Sequence, residues 1–324
     1  MLIVIYAVLF VLATVLALLL KGIERIGIAR MQSRIGPPIT QPFLDIRKLF
    51  VKECIVPVNA VKWLFNLMPV LAVVSSLALL LYVPVFSLPP LLNSYGDLIL
   101  VVYLLVFPSL ALIIGGFSSS SPYATVGAQR EMVKLLSYEL PLSVVVISIA
   151  WLLTTNNISN GFVFTAIMNN PPWALVSIPG SIGLFLLFIS LLLVIPAEIG
   201  CLPFDIAEAK TEIASGVLVE YSGRNLALFY IADALRMFVL ACLTVSIFLP
   251  WNIANMFNLP KVIGIIIDMI FWITKIIGII FIGSIFIGSI TARLKIDQIV
   301  KFFWIYTTII ALIGMGLIIL DKIW

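Results

Sequence analysis

The sequence predicts an all-α, polytopic membrane protein. Three observations predict it: 63% of the 324 residues are apolar, only 10% are charged, and mean hydropathy is +1.23. Soluble globular domains hold about 45–50% apolar residues, so this chain has too little polar surface to face water on all sides. Apolar stretches of roughly 20 residues recur from end to end, the length a helix needs to cross hydrocarbon at about 1.5 Å per residue. About eight such stretches start near residues 2, 63, 97, 136, 179, 226, 262 and 299, each bounded by polar residues or by Pro and Gly. No polar linker of domain size divides them, so residues 1–324 read as one transmembrane domain.

The first stretch, MLIVIYAVLFVLATVLALLL, has no basic residue ahead of it and stays apolar for about 19 residues, so it reads as a retained first helix rather than a signal peptide. The loop that follows is basic, with Lys21, Arg25, Arg30, Arg34, Arg47, Lys48, Lys52 and Lys62. Arg130 and Lys134 mark the third loop, Lys210 and Arg224 the fifth, and Arg293, Lys295 and Lys301 the seventh; the intervening loops carry only Lys261. By the positive-inside rule the odd loops, about 21–62, 117–135, 200–225 and 287–298, face the cytoplasm, and both termini lie outside the cell membrane. The net charge of +4 is then membrane anchoring, with no basic and aromatic patch for nucleic acid.

Within the first loop, QPFLDIRKLFVKE places Phe43, Ile46, Leu49 and Phe50 at helical spacing, with Asp45, Lys48 and Lys52 on another face. This is the pattern of an amphipathic helix lying in the interface plane. It fits a surface anchor, and equally a cavity wall or a docking shelf.

Cys54, Cys201 and Cys242 stand apart with no CxxC spacing, and histidine is absent. The chain is therefore expected to bind no metal and no redox cofactor of its own, its thiols serving as small buried apolar groups.

Ionisable groups inside spans cost several kcal/mol unless something compensates them, which makes each a functional candidate. Glu139 lies early in the fourth span, five residues from Lys134, as a boundary acid or a proton relay. Glu198 ends the fifth. Asp233 and Arg236, spaced i, i+3, can face one another as an ion pair or tune a neighbouring relay acid. Asp268 and Lys275 stand about two turns apart and need partners elsewhere.

The stretch CLPFDIAEAKTEIASGVLVEYSG gathers Asp205, Glu208, Glu212 and Glu220 between two apolar segments. A helix over AEAKTEIASG, opened near Pro203 and closed at Gly216, would set Asp205, Glu208 and Glu212 on one face. Mutual repulsion and partial burial raise some of those pKa values toward neutral, where an acid both takes and releases a proton. A solvated acidic loop is the alternative reading.

The run EIGCLPFDIAEAKTEIASGVLVEYSG resembles the signature loop E-x-x-R-x-P-F-D-L-x-E-x-E-x-E-L-x-x-G-x-x-x-E-Y of the heel subunit of respiratory complex I, the NuoH family. IERIGIARMQSRIGPP, QPFLDIRKLFVKE and LLSYELPLS resemble further segments of that family, which includes membrane subunits of NiFe hydrogenases and sulfur-reducing complexes. The resemblance implies an acidic path through Glu139, Glu198, Glu208, Glu212 and Glu220, with Asp233 beside it. It also implies loops that dock a soluble redox arm, bearing Arg25, Arg34, Asp45, Lys48, Asp205 and Arg224. Partners implied are an iron-sulfur small subunit and a NiFe-type large subunit, which would hold the iron-sulfur clusters and the NiFe or related centre, and antiporter-like membrane subunits. Cys201 replaces the family's Arg, Lys210 replaces a Glu, and GPPITQPF is shorter than its complex I counterpart, which resembles the hydrogenase branch.

The expected function is a subunit without a catalytic centre that couples electron transfer in a docked arm to H+ or Na+ translocation in a membrane-bound hydrogenase or sulfur reductase. The alternatives are a quinone-binding complex I subunit, a stand-alone ion transporter and a passive anchor.

Overall fold

The computed structural model describes residues 2–86, 89–92, 97–156, 158, 161–253 and 261–323, and no strand occurs among them. Its helices are α1 (Leu2–Met31), α2 (Gln41–Val51), α3 (Lys62–Tyr82), α4 (Asp97–Ser118), α5 (Pro122–Thr155), α6 (Phe164–Asn169), α7 (Ile178–Ile199), α8 (Lys210–Ile213) and α9 (Gly223–Phe248). α10 runs over Lys261–Ile280, then a π-helical segment Phe281–Phe286 and Ile287–Ile290. α11 joins Ile296–Lys301, a second π-helical segment Phe302–Thr307, and Thr308–Ile323. Among the described residues, α3, α4, α5, α7, α9, α10 and α11 are long and apolar enough to cross a membrane. α1 adds 30 helical residues, with Lys21, Glu24 and Arg25 in its last third. The chain is an integral membrane protein.

Hydrogen bonds sort the loops into two sets. At one end, Val61 N donates to Ser118 O (2.9 Å), Ile55 N to Ser222 Oγ (3.0 Å) and Leu294 N to Pro203 O (3.1 Å), so loops one, three, five and seven meet. At the other, Leu98 N reaches Phe162 O (3.0 Å), Trp173 Nε1 reaches Phe248 O (2.7 Å), and Lys322 Nζ reaches Leu175 O (2.6 Å). The side chain of Lys261, the lone basic group expected at that end, lies outside the described residues. Lys275 is satisfied there too: it donates to the carbonyls of Leu249 and Trp251 and sits 4.3 Å from the centroid of the Phe271 ring.

α9 is the axis of the bundle, packed by α1, α2, α3, α7 and α10. Of its most apolar window 72% is buried, against 22% for α10 and 33% for α11; the last two helices therefore turn most of their surface outward. α2 forms where its pattern predicts, opening with Pro42 in its first turn. Its Phe43 and Ile46 pack against the bundle core, while Leu44 and Phe50 are exposed.

Two expectations need correction. The fourth span begins at Pro122, not near 136, because from Tyr123 to Leu140 the chain has one glycine and no proline among good helix formers. Arg130, Glu131 and Lys134 are thus helical. The acidic stretch does not form the expected helix: only Lys210–Ile213 is α-helical, with a 3-10 turn at Gly216–Leu218, since Ala214, Ser215 and Gly216 all take positive φ (56°, 103° and 53°) and break it. Asp205, Glu208 and Glu212 consequently share no helix face.

Val217 N bonds Ala207 O (3.2 Å) and closes this loop into a compact turn. A Cβ on Gly216 would stand 1.7 Å from Ala207 O, in a left-handed backbone conformation as well. Gly216→Ala is expected to cost about 3 kcal/mol or more through the clash and the φ penalty together. A lowered thermal unfolding midpoint of the purified protein in detergent checks it.

Candidate functional site

The ends of α1, α5, α7 and α9 and loop 200–222 enclose a cluster of charged side chains. Each of three helices supplies an ion pair spaced i, i+3, the separation that brings side chains together on one face. On α1, Lys21 Nζ meets Glu24 Oε2 at 2.7 Å. On α5, Lys134 Nζ meets Glu131 Oε2 at 2.6 Å, both side chains only 2% exposed. On α9, Arg236 Nη2 meets Asp233 Oδ1 at 3.0 Å. Arg236 also donates to Ser109 Oγ (2.7 Å), which lies 3.3 Å from the Tyr138 hydroxyl.

α7 ends at Gly200, whose φ of +74° turns the chain so that Cys201 enters the cluster. Glu198, two residues before Gly200, is buried, and its Oε1 has no hydrogen-bond partner. Cys201 Sγ donates to Glu24 Oε1 (3.1 Å) and accepts from Lys21 (3.6 Å), and the Ser284 hydroxyl, carried on the π segment of α10, donates to the same Glu24 oxygen. Burial first, and then the Glu24 charge, pushes the Cys201 thiol up to about 12, so it stays protonated and donating.

The loop acids separate. Asp205 is held by Arg293 (2.9 Å), whose other arm bonds Thr211 (3.1 Å); burial still leaves the Asp205 carboxyl above its ordinary pKa despite that partner. Glu212 is half exposed and accepts from Arg130 at 2.6 Å, a hydrogen bond that holds its pKa low. Glu208 turns inward. Burial, then the charges of Asp233, Asp205 and Glu131, push it up to about 8 against the pull of Lys134. Glu220 is half buried in the turn before α9 and Arg224 is exposed.

Two cavities meet at Glu208. The larger, about 220 Å³, is lined by Lys21, Arg25, Asp45, Cys201, Lys210 and Asp233 among others. The smaller, about 10 Å³, is lined by Glu131, Lys134, Asp205 and Arg236. Ile199, Gly200 and Glu208 border both. Asp45 on α2 accepts from Arg25 (2.7 Å) and Gln41 (2.9 Å); burial opposes ionisation, but these donors outweigh it and hold the carboxyl below its usual range. α2 is thus one wall of the larger cavity.

Of the residues singled out in the sequence, Glu198, Glu208, Asp205, Asp233 and Arg236 come together. Glu139 does not join them: it is half buried on the side of α5 shared with exposed Leu136 and Leu140, whereas Glu131, Lys134 and Tyr138 face inward. Arg34 and Lys48 are exposed at the loop end. Sequence reasoning misses Lys21, Glu24, Glu131, Lys134 and Ser284 as members of the cluster. A signal is present in the i, i+3 pairs KGIE and EMVK, but the positive-inside pattern places both in loops.

Comparison with known proteins places the chain. The NADH dehydrogenase family model matches residues 3–319. The NADH-quinone oxidoreductase H-subunit of Rickettsia prowazekii (strain Madrid E) is 33% identical over 296 residues, covering 87% of this chain and 81% of that protein. Its counterpart in Rickettsia typhi (strain ATCC VR-144 / Wilmington) is 33% identical over 308 residues, covering 91% and 86%. A chain in the structure of the membrane-bound sulfane sulfur reductase, an archaeal respiratory membrane complex, superimposes with a TM-score of 0.82 at 31% identity, over 97% of this chain and 98% of its own. A match across nearly the whole length, in sequence and in fold, makes this chain a member of the NADH dehydrogenase family of membrane subunits.

Proposed function

We propose that the chain is the membrane subunit of a respiratory-type oxidoreductase complex, in which its buried acids couple electron transfer in a docked arm to ion translocation in neighbouring membrane subunits. One observation carries this reading. Four cations at the cluster are each taken by one acid, Lys21 by Glu24, Lys134 by Glu131, Arg236 by Asp233 and Arg293 by Asp205, while Glu198 and Glu208 belong to no ion pair among the described residues. Glu208, half-buried in the loop at the edge of both cavities and left without a cation, favours its protonated form. The cluster therefore stores exchangeable protons, and any change of charge at its border moves them.

The border is the loop end. There Ile35, Val58 and Val51 are 101%, 92% and 84% exposed beside the cations Arg34, Lys48 and Lys52. Large apolar side chains among loop charges suit neither water nor hydrocarbon, and support docking of a soluble protein arm. Such an arm, with iron-sulfur clusters and a NiFe-type or related centre, would sit over Arg25, Asp45, Asp205 and Arg224. Glu139, on the outward side of α5, would pass the effect to an adjoining antiporter-like subunit, and Glu212 and Glu220 would sense the arm from the loop. With the odd loops cytoplasmic, eight crossings leave both termini outside the cell membrane.

The quinone reading draws on the relatives' name. Against it, the larger cavity is about 220 Å³ with a charged lining, smaller and more polar than the roughly 300–1,000 Å³ apolar sites typical of drug-sized ligands. Cys201 also stands where the resembling family has an arginine. Hydrogenase or sulfur-reductase chemistry in the arm fits better.

Glu198→Gln and Glu208→Gln are each expected to cut ion uptake per electron about tenfold or more in inverted vesicles, with electron throughput largely kept. Unimpaired uptake in both variants overturns the reading. The raised pKa of Glu208 gives a second expectation. The folded protein holds this proton more tightly than the unfolded chain between 4.5 and about 8, so the stability it confers is complete below 4.5 and is lost as pH rises toward 8. Glu208→Gln should accordingly leave the thermal midpoint unchanged near pH 4.5 and raise it relative to the parent above pH 8, read by unfolding curves across that range.

A further inference from the structure

Near the two unpaired acids stands a third that sequence patterns alone do not single out. Glu131 borders the small cavity together with Glu208, and it lies close enough to both Glu208 and Glu198 for its charge to act on each. Its Oε2 is bound to Lys134, but its Oε1 is buried with no hydrogen-bond partner, as is Oε1 of Glu198. A purely structural ion pair at this depth would be expected to satisfy both oxygens, because an unpaired buried acceptor costs about 1–3 kcal/mol. The cavity's volume of about 10 Å³ matches a single water, enough to bridge carboxyl groups too far apart for direct contact.

We propose that Glu131 is the proton-carrying group between Glu208 and Glu198, with Lys134 as its counter-charge. This rests on the coupling reading given above. Protonated Glu208 gives its proton, through one bridging water, to Oε1 of the Glu131 carboxylate and becomes anionic. Once Glu198 has passed its own proton onward, neutral Glu131 yields its proton to the free oxygen of Glu198, restoring the Glu131–Lys134 pair. One proton leaves Glu208 and one arrives on Glu198, and no electron moves in this chain.

The charged and titratable groups around Glu131 fit the role. On its own helix it has Lys134 and Tyr138, on the loop Asp205 and Glu208, on α7 Glu198, and on α9 Asp233 and Arg236. When Glu131 takes a proton, the Lys134 ammonium loses its partner. Lys134 lines the same small cavity as Glu208, so the freed charge acts on the newly ionised Glu208 and favours the forward transfer.

The test uses the intact complex in inverted vesicles, reading ion uptake per electron, and redox-induced infrared difference spectra reading protonated-carboxyl bands. Glu131→Gln should lower uptake per electron about tenfold or more and remove a carboxyl band, while Glu131→Asp restores most of the uptake and shifts that band. The double variant Glu131→Gln/Lys134→Gln removes both charges and keeps shape and net charge. A relay predicts that it stays uncoupled, whereas a merely structural pair predicts recovery, and recovery overturns the proposal. If Glu131→Gln fails to assemble, the aspartate band shift still decides: an unshifted carboxyl spectrum excludes Glu131. Coupling kept in Glu131→Gln but lost in Glu198→Gln and Glu208→Gln defeats this inference alone, while coupling kept in all three defeats the coupling reading itself.

Discussion

The cost of burying charge governs this protein. Carboxylates and ammonium groups placed against hydrocarbon lose hydration worth several kcal/mol each, and a partner at hydrogen-bonding distance is what makes such burial tolerable. The bundle meets that demand with the same local device on α1, α5 and α9, an acid and a cation three residues apart. Because each pair is local to one helix, it forms as soon as that helix forms and presents neighbouring helices with a near-neutral surface. Close packing around α9 is then compatible with charges at its heart, and the unpaired Glu198 and Glu208 are set apart by context rather than by type.

Backbone irregularity follows the polar groups. Pro108 precedes Ser109, Pro141 follows Glu139 by two residues, and Pro196 precedes Glu198 by two. A proline inside a helix frees a carbonyl a turn earlier, tolerated in a membrane where neighbouring side chains or water satisfy it. The π segment of α10 works in the same direction, its extra residue per turn helping to aim Ser284 at Glu24. Pro108, Pro196 and the π segment of α10 thus lie beside polar groups of the cluster.

Much of this is legible in the sequence. Apolar runs mark the spans, because crossing hydrocarbon sets their minimum length, though α1 and α5 extend beyond their apolar runs, and the amphipathic spacing of Phe43 and Ile46 marks α2. Glu198, Asp233 and Arg236 stand out as charges in greasy surroundings. The acidic stretch is harder. Its helical spacing is genuine as arithmetic, but Ala214, Ser215 and Gly216 adopt positive φ because the loop must fold back onto Ala207, a tertiary demand that outweighs propensity. Glu24 and Glu131 escape notice for a different reason: each lies next to a cation near a span's end, where a local pair in a loop and a buried pair in a helix read alike. For Glu131, only the start of α5 at Pro122 separates the two.

On the coupling reading proposed above, the pairing pattern would let this chain respond to a distant redox change through its own side chains. At an effective dielectric of about 20, a unit charge 4 Å away is worth about 4 kcal/mol, and still about 1–2 kcal/mol at 10 Å. A paired acid resists such a field, since its cation anchors the ionised form. An unpaired buried acid has no such anchor, and a raised pKa like that of Glu208, about 8, puts the balance between its two forms within reach of one added charge at the docked face. Sensitivity is therefore concentrated on the few acids left without cations. Their neighbours' ion pairs fix the field in which they sit, so that a single new charge can decide which of them holds the proton.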